Sequence, residues 1–138
     1  MKKKILVVED ETIIAMEIKD RLEGFGYAVP DVVFSGEEAV EKAVAEQPDL
    51  VLMDIMLDGG IDGVEAAARI RERSDIPIIY LTASSDEQTL ERVKASESYG
   101  YVLKPLEEEE LHRTIEVALS KHEMEKKVKG SQEAIFCN

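Results

Sequence analysis

A short apolar run, "KILVV" (residues 4–8), opens the chain. Similar runs follow at "AVPDVVF" (28–34), "DLVLM" (49–53), "IPIIYL" (76–81) and "YGYVL" (99–103). Between them the apolar positions take a helical period. Ile14, Ile18, Leu22 and Phe25 step by 4, 4 and 3, and Gly63, Ala66, Ala67 and Ile70 fall at i, i+3, i+4 and i+7. Segments 36–46 and 86–95 predict two shorter helices, and Leu111, Ile115, Ala118 and Leu119 mark a fifth. This alternation predicts an α/β fold with a parallel sheet covered on both faces, because parallel strands are joined by helical crossovers.

A proline sets the strand order. Pro30 lies inside the second run and cannot donate to a central ladder, so that strand belongs at an edge. The first, third and fourth runs are nearly pure Ile, Leu and Val, as strands buried on both faces should be. An edge second strand beside a buried first one predicts a doubly wound, flavodoxin-like sheet of order 2-1-3-4-5 with five helices. No repeat and no Gly/Ser- or Pro-rich linker interrupts the pattern. From about His122 the apolar seam gives way to "HEMEKKVKGSQEAIFCN". The expectation is one domain over residues 1–121 and a helical extension or connector over 122–138, with Gly130 as a stop signal.

Composition narrows the classes. A chain of 138 residues with 44% apolar content suits one globular domain. No apolar run nears the roughly 18 residues of a membrane span, and "MKKK" is followed by too few apolar residues for a signal peptide. A cytoplasmic setting is expected, and the single cysteine, Cys137, agrees with a reducing compartment. Thirty acids against 17 bases give a net charge of −13, which argues against direct contact with nucleic acid or membrane.

Candidate chemistry sits where each strand ends. In open parallel sheets ligands bind beyond the carboxyl ends of the strands. Glu9 and Asp10 follow the first strand, Asp54 the third, Thr82 and Ala83 the fourth, and Lys104 and Pro105 the fifth. Like charges this close disfavour joint ionisation unless a cation intervenes, and Mg²⁺ takes carboxylate oxygens together with substrate phosphate. Lys104 offers a point charge to a phosphate oxygen and Thr82 a hydrogen bond. A single carboxylate at a strand end is more often a helix cap or a solvated group than a ligand; together, in this order, the five positions point to phosphoryl chemistry.

The stretches "ILVVEDE", "DLVLMDIML", "IPIIYLTA" and "YGYVLKP" resemble the receiver domain of two-component response regulators over about residues 3–120. The resemblance implies that Asp54 is the phosphoacceptor and that Glu9 and Asp10 are the acidic pair, with Asp10 the more direct ligand of Mg²⁺. It implies that the Met56 backbone carbonyl faces the metal. Thr82 would be the switch hydroxyl beside a small Ala83, Lys104 the partner of the phosphoryl group, Pro105 a cis-proline and Tyr101 the switch aromatic. Tyr101 also reads as a half-buried strand aromatic; its offset of three from Lys104 favours the first reading.

The implied function is a phosphoacceptor switch, not a turnover enzyme. A sensor histidine kinase or phosphotransfer protein would donate to Asp54, and the switch would regulate an output partner or an output domain in a longer chain. Dimerisation through the fourth helix, fifth strand and fifth helix is a further implication. The alternative is a non-phosphorylated pseudo-receiver acting as an interaction module; retention of Asp10, Asp54, Thr82 and Lys104 argues against it.

Some features depart from the family pattern. Glu9 stands where many receivers have Asp, which lengthens its reach by a methylene. The loop "DIMLDGGIDG" carries Asp58-Gly59-Gly60 where many receivers have a proline-containing turn. Met56 and Ser84 occupy positions that tune phosphoryl lifetime in the family.

Rival readings fit less well. An aspartyl-phosphate phosphatase needs a second Asp two residues after the first, and Met56 is there instead. No glycine-rich phosphate loop follows the first strand, and Asp54, Asp58 and Asp62 are spaced by four rather than two, which excludes a calcium loop. His112 and His122 are expected to be solvated helix residues, and "EEEE" at 107–110 a helix N-terminus.

Overall fold

The computed structural model describes residues 2–83, 87–95 and 99–136; Ser84 and Cys137 lie outside these. Strands β1 (Ile5–Val8), β2 (Val32–Val33), β3 (Leu50–Asp54), β4 (Ile78–Thr82) and β5 (Gly100–Leu103) are all parallel and ordered β2-β1-β3-β4-β5. Helices α1 (Thr12–Gly24), α2 (Gly36–Glu46), α3 (Gly63–Arg73), α4 (Glu87–Ala95) and α5 (Glu108–Phe136) make the crossovers and close the chain. This is the doubly wound fold that the alternating pattern predicts.

Alternate strand residues feed two cores, as a pleat with period two requires. Leu6, Val8, Val51, Met53, Ile78 and Tyr80 face α2, α3 and α4, where Ala39, Ala43, Ala66, Ala67, Ile70 and Val93 meet them. Ile5, Val7, Leu50, Leu52, Ile79, Leu81 and Val102 face α1 and α5, against Ile18, Leu22, Leu111, Ile115 and Ala118. With β1, β3 and β4 fully buried, the registry of the sheet is fixed: a slip of one residue would exchange the two cores. Two of the helices start at side-chain caps. The Ser35 hydroxyl accepts from the Glu38 N–H at 3.2 Å to begin α2, and the Asp62 carboxylate accepts from the Glu65 N–H at 2.9 Å to begin α3.

Three expectations need correction. The run 28–34 is not one strand: a bridge joins Lys4 to Ala28, and regular pairing resumes only at Val32. Pro30, with no N–H to give, lies in the gap. Gly130 does not end the fifth helix, which continues to Phe136. An internal glycine costs only about 1 kcal/mol, too little to stop a helix flanked by Glu, Lys and Ala.

The histidines, finally, are not both solvated: His112 is half-buried and His122 buried. His112 stacks on Phe25 with ring centroids 4.4 Å apart, and His122 is buried edge-on against Tyr99 at 5.8 Å. Both lie on the side of α5 that meets the domain rather than on its outer side.

Candidate functional site

The register of the sheet brings the ends of four strands level. Val8 pairs with Met53, Asp54 with Leu81, and Thr82 with Leu103, so the residues that follow converge at the carboxyl edge. The chain leaves β1 at Glu9, whose N–H bonds the Val33 carbonyl at 3.1 Å and turns the side chain into the protein; Glu9 is only 1% exposed. Asp54, the last residue of β3, is 3% exposed, and Thr82, the last of β4, is wholly buried. The Lys104 N–H bonds the Thr82 carbonyl at 2.8 Å, which extends the ladder by one step and sends the lysine across the edge. The Lys104–Pro105 peptide is cis.

These groups touch. Lys104 Nζ lies 2.8 Å from Glu9 Oε2 and 3.0 Å from Asp54 Oδ2. The remaining oxygens accept backbone N–H groups: Glu9 Oε1 from Glu11 at 3.2 Å, Asp54 Oδ1 from Met56 at 3.0 Å, and Asp10 Oδ2 from Asp58 at 3.2 Å. One oxygen from each of Glu9, Asp10 and Asp54 lies within 4.8 Å of the others. Beside this pocket a cleft of about 470 Å³ opens between α1 and the turn after β5, lined by Ile14, Ile18, Arg21, Ala83, Lys104 and Leu106.

The electrostatics are unbalanced. Three carboxyl groups face one ammonium. Burial, and then the neighbouring Asp54, push the Glu9 carboxyl up to about 7, with Lys104 pulling the other way. Burial works against the Lys104 ammonium, but its bonds to Glu9 and Asp54 outweigh that and raise its pKa. Burial first, and the adjacent Asp54 second, thus make the charged form of Glu9 costly, and Lys104 offsets this only in part. A hard divalent cation would fit this donor set: three carboxylates at one rim, all oxygen, partly solvated at Asp10.

Every strand-end residue read from the sequence reaches this edge, although the side chains do different things there. Glu9, Asp10, Asp54 and Lys104 meet; Thr82 is buried at the end of β4; Ala83 lines the cleft. The Met56 side chain is 71% exposed, while its N–H bonds Asp54. Tyr101 stands apart, on the outer strand, opposite buried Tyr80 and 36% exposed.

Sequence reasoning missed two supports of the β3–α3 loop. Glu37 accepts from the Ile61 N–H at 3.0 Å, and Arg92 of α4 bonds Asp62 at 2.7 Å. The spacing Asp62 to Glu65 was a readable cap signal; nothing local marks Glu37 or Arg92.

A doubly wound sheet that gathers three carboxylates, a hydroxyl and an ammonium at its carboxyl edge defines a receiver-type signalling domain. The response regulator receiver domain profile matches residues 5–116, and the chain belongs to that family. The transcriptional regulatory protein PdtaR of Mycobacterium tuberculosis is 35% identical over 119 residues, which cover 86% of this chain and 58% of that protein. The chain therefore spans little more than half the length of this curated relative.

Among solved structures, the signal receiver domain of a modulated diguanylate cyclase from Desulfovibrio desulfuricans shares 42% identity, with a TM-score of 0.84 over 91% of this chain and 99% of that one. The receiver domain of the sensor histidine kinase PA1611 from Pseudomonas aeruginosa is 31% identical, with a TM-score of 0.80 over 87% of this chain and 99% of that one. That structure holds a magnesium ion in its active-site cleft.

Proposed function

We propose that this domain accepts a phosphoryl group on Asp54 from a histidine kinase or phosphotransfer protein, with Mg²⁺ held by Glu9, Asp10, Asp54 and the Met56 carbonyl, and then switches a regulatory output. The observation that carries the reading is the contact of Lys104 with Asp54 inside a pocket of three carboxyl groups with too little positive charge. A carboxylate oxygen of Asp54 attacks the phosphorus, the P–N bond of the phosphohistidine breaks, and an acyl phosphate is formed. Lys104 holds Asp54 in place and offers its ammonium to an incoming phosphoryl oxygen. Bound metal would neutralise charge on the phosphoryl group and replace the proton on Glu9.

The product is a switch state. Phosphorylation adds charge and acceptors beside buried Thr82, and a hydroxyl drawn toward them frees room into which exposed Tyr101 can turn. Slow hydrolysis would return the resting state, so the domain's chemistry is confined to its own modification. Exposed Ile13 and Met16 on α1, the helix whose Ile14, Glu17 and Ile18 line the cleft at Lys104, would give a donor protein an apolar foothold. Exposed Leu103 and Val117, with Tyr101, give an output partner or second copy another. Residues 122–138 would act as a connector.

Among the described residues no helix is long and apolar enough to cross a membrane. A cytoplasmic kinase–regulator pair is the setting proposed, on the family's pairing with histidine kinases.

Beryllofluoride, a mimic of the acyl phosphate, tests the reading. Amide resonances of Thr82 and Tyr101 should shift when it is added with Mg²⁺, and stay in place in Asp54→Asn. Spectra unchanged in the wild type would favour the pseudo-receiver instead.

A further inference from the structure

The loop from Ile55 to Asp62 borders the acidic pocket, and something must hold it there. Its near end is tied by the Met56 N–H to Asp54 and by the Asp58 N–H to Asp10. Its far end is closed by the Gly63 N–H, 3.0 Å from the Ile55 carbonyl, and by a close approach in which a Cβ on Gly63 would lie 2.0 Å from the Asp54 carbonyl oxygen. The middle, Gly59 to Ile61, is secured from outside. Glu37, in the first turn of α2, accepts the Ile61 N–H through Oε1 at 3.0 Å.

Two glycines make this contact possible. A Cβ on Gly60 would lie 2.2 Å from Glu37 Oε1, and a Cβ on Gly36 would lie 2.6 Å from the Ile61 side chain. Gly59 takes a φ of +104°, a left-handed conformation that glycine adopts at little cost. The Gly59-Gly60 pair thus has a reason: one glycine makes the bend and the other admits the Glu37 carboxylate. Ile61, 8% exposed, is then seated in the core between α2 and α3.

We propose that Glu37 is a positioning residue for phosphoryl transfer at Asp54. By anchoring Ile61 it sets the path of the loop whose Asp58 N–H orients Asp10 and whose Met56 N–H orients Asp54. Asp54 and Asp10 are both reached from the near half of one short segment, so a loop freed at Ile61 loosens both. The inference rests on the reading of Asp54 as phosphoacceptor. A bond that served stability alone would leave the pocket unaffected once the protein was folded; a positioning bond changes the chemistry at constant fold.

Gly60→Ala gives a second, independent route to the same break. The atom its methyl group meets is the free end of the Glu37 side chain, so the carboxylate swings away and the backbone is spared. The experiment compares the 138-residue wild type with Glu37→Ala, Glu37→Gln, Gly60→Ala and the Glu37→Ala/Gly60→Ala pair. Rates of mass gain from acetyl phosphate, Mg²⁺ affinity by titration calorimetry and urea unfolding are read for each.

Glu37→Ala and Gly60→Ala should each slow phosphorylation by about tenfold and weaken Mg²⁺ binding, the scale of a sub-ångström misplacement. Glu37→Gln, which keeps an acceptor oxygen, should stay within about twofold of wild type. The pair should be no slower than Glu37→Ala, because the alanine at 60 acts only through the carboxylate. Wild-type rate and Mg²⁺ affinity in folded Glu37→Ala and Gly60→Ala would overturn the proposal, as would a Glu37→Gln as slow as Glu37→Ala. If Glu37→Ala fails to fold, Gly60→Ala alone decides. If the wild type itself gains no phosphoryl group, the reading of Asp54 fails, and Mg²⁺ affinity decides for Glu37: an unchanged value in the variants overturns its role.

Discussion

A carboxyl group as deeply buried as that of Glu9 has to settle its charge locally. With its pKa raised from 4.5 to about 7, the folded protein binds more protons than the unfolded chain between those values. Stability without metal should therefore fall as pH rises through that window. Mg²⁺ competes with the same proton, so its affinity should rise over the same range. Urea midpoints and calorimetric titrations at several pH values check both slopes; a metal affinity flat across the window would remove Glu9 from the ligand set.

Asp62 shows the opposite case. Burial opposes its charge, but the Glu65 N–H and Arg92 hold its carboxyl below the usual range. As the N-cap of α3 it should contribute about 1 kcal/mol, so Asp62→Ala should lower the urea midpoint accordingly. That loss should shrink as pH falls through the folded pKa, because a depressed carboxyl stabilises only while ionised. Its partial exposure keeps the ion pair's own share small.

At the scale of elements, most of what the pattern predicts is present because burial on both faces leaves little choice. Ile18 and Leu22 in α1, and Gly63, Ala66, Ala67 and Ile70 in α3, are buried as their spacing requires. The strand ends delivered Glu9, Asp10, Asp54, Thr82 and Lys104 to one edge, so that part of the site was legible from topology.

What escaped were contacts between residues far apart in sequence. Nothing near Glu37 announces that a glycine 23 positions on will receive its carboxylate. The same holds for the end of α5. His122 is packed on Tyr99, Lys121 lies 5.5 Å from the Tyr99 ring, and the Tyr99 hydroxyl donates to Glu125. Lys3 pairs with Glu123 at 3.3 Å. A charged tail read as an extension or connector is fastened to the base of the sheet over at least that stretch. His122→Ala should cost about 1–2 kcal/mol and speed amide exchange in α5 beyond Ser120. Exchange at wild-type rates there would show that the histidine is not the fastening.

For the whole molecule, −13 charges surround a pocket that itself lacks positive charge. The domain is thus set to attract cations and cationic partner surfaces and to repel nucleic acid. The same acidic rim would repel a phosphodonor unless metal is present, so phosphorylation of Asp54 should depend on Mg²⁺. Intact-mass spectrometry after incubation with acetyl phosphate, with and without Mg²⁺, reads this directly in wild type and Asp54→Asn. A gain of one phosphoryl group that requires both Mg²⁺ and Asp54 is expected. A gain that survives in Asp54→Asn or without Mg²⁺, or no gain at all in folded wild type, would contradict it.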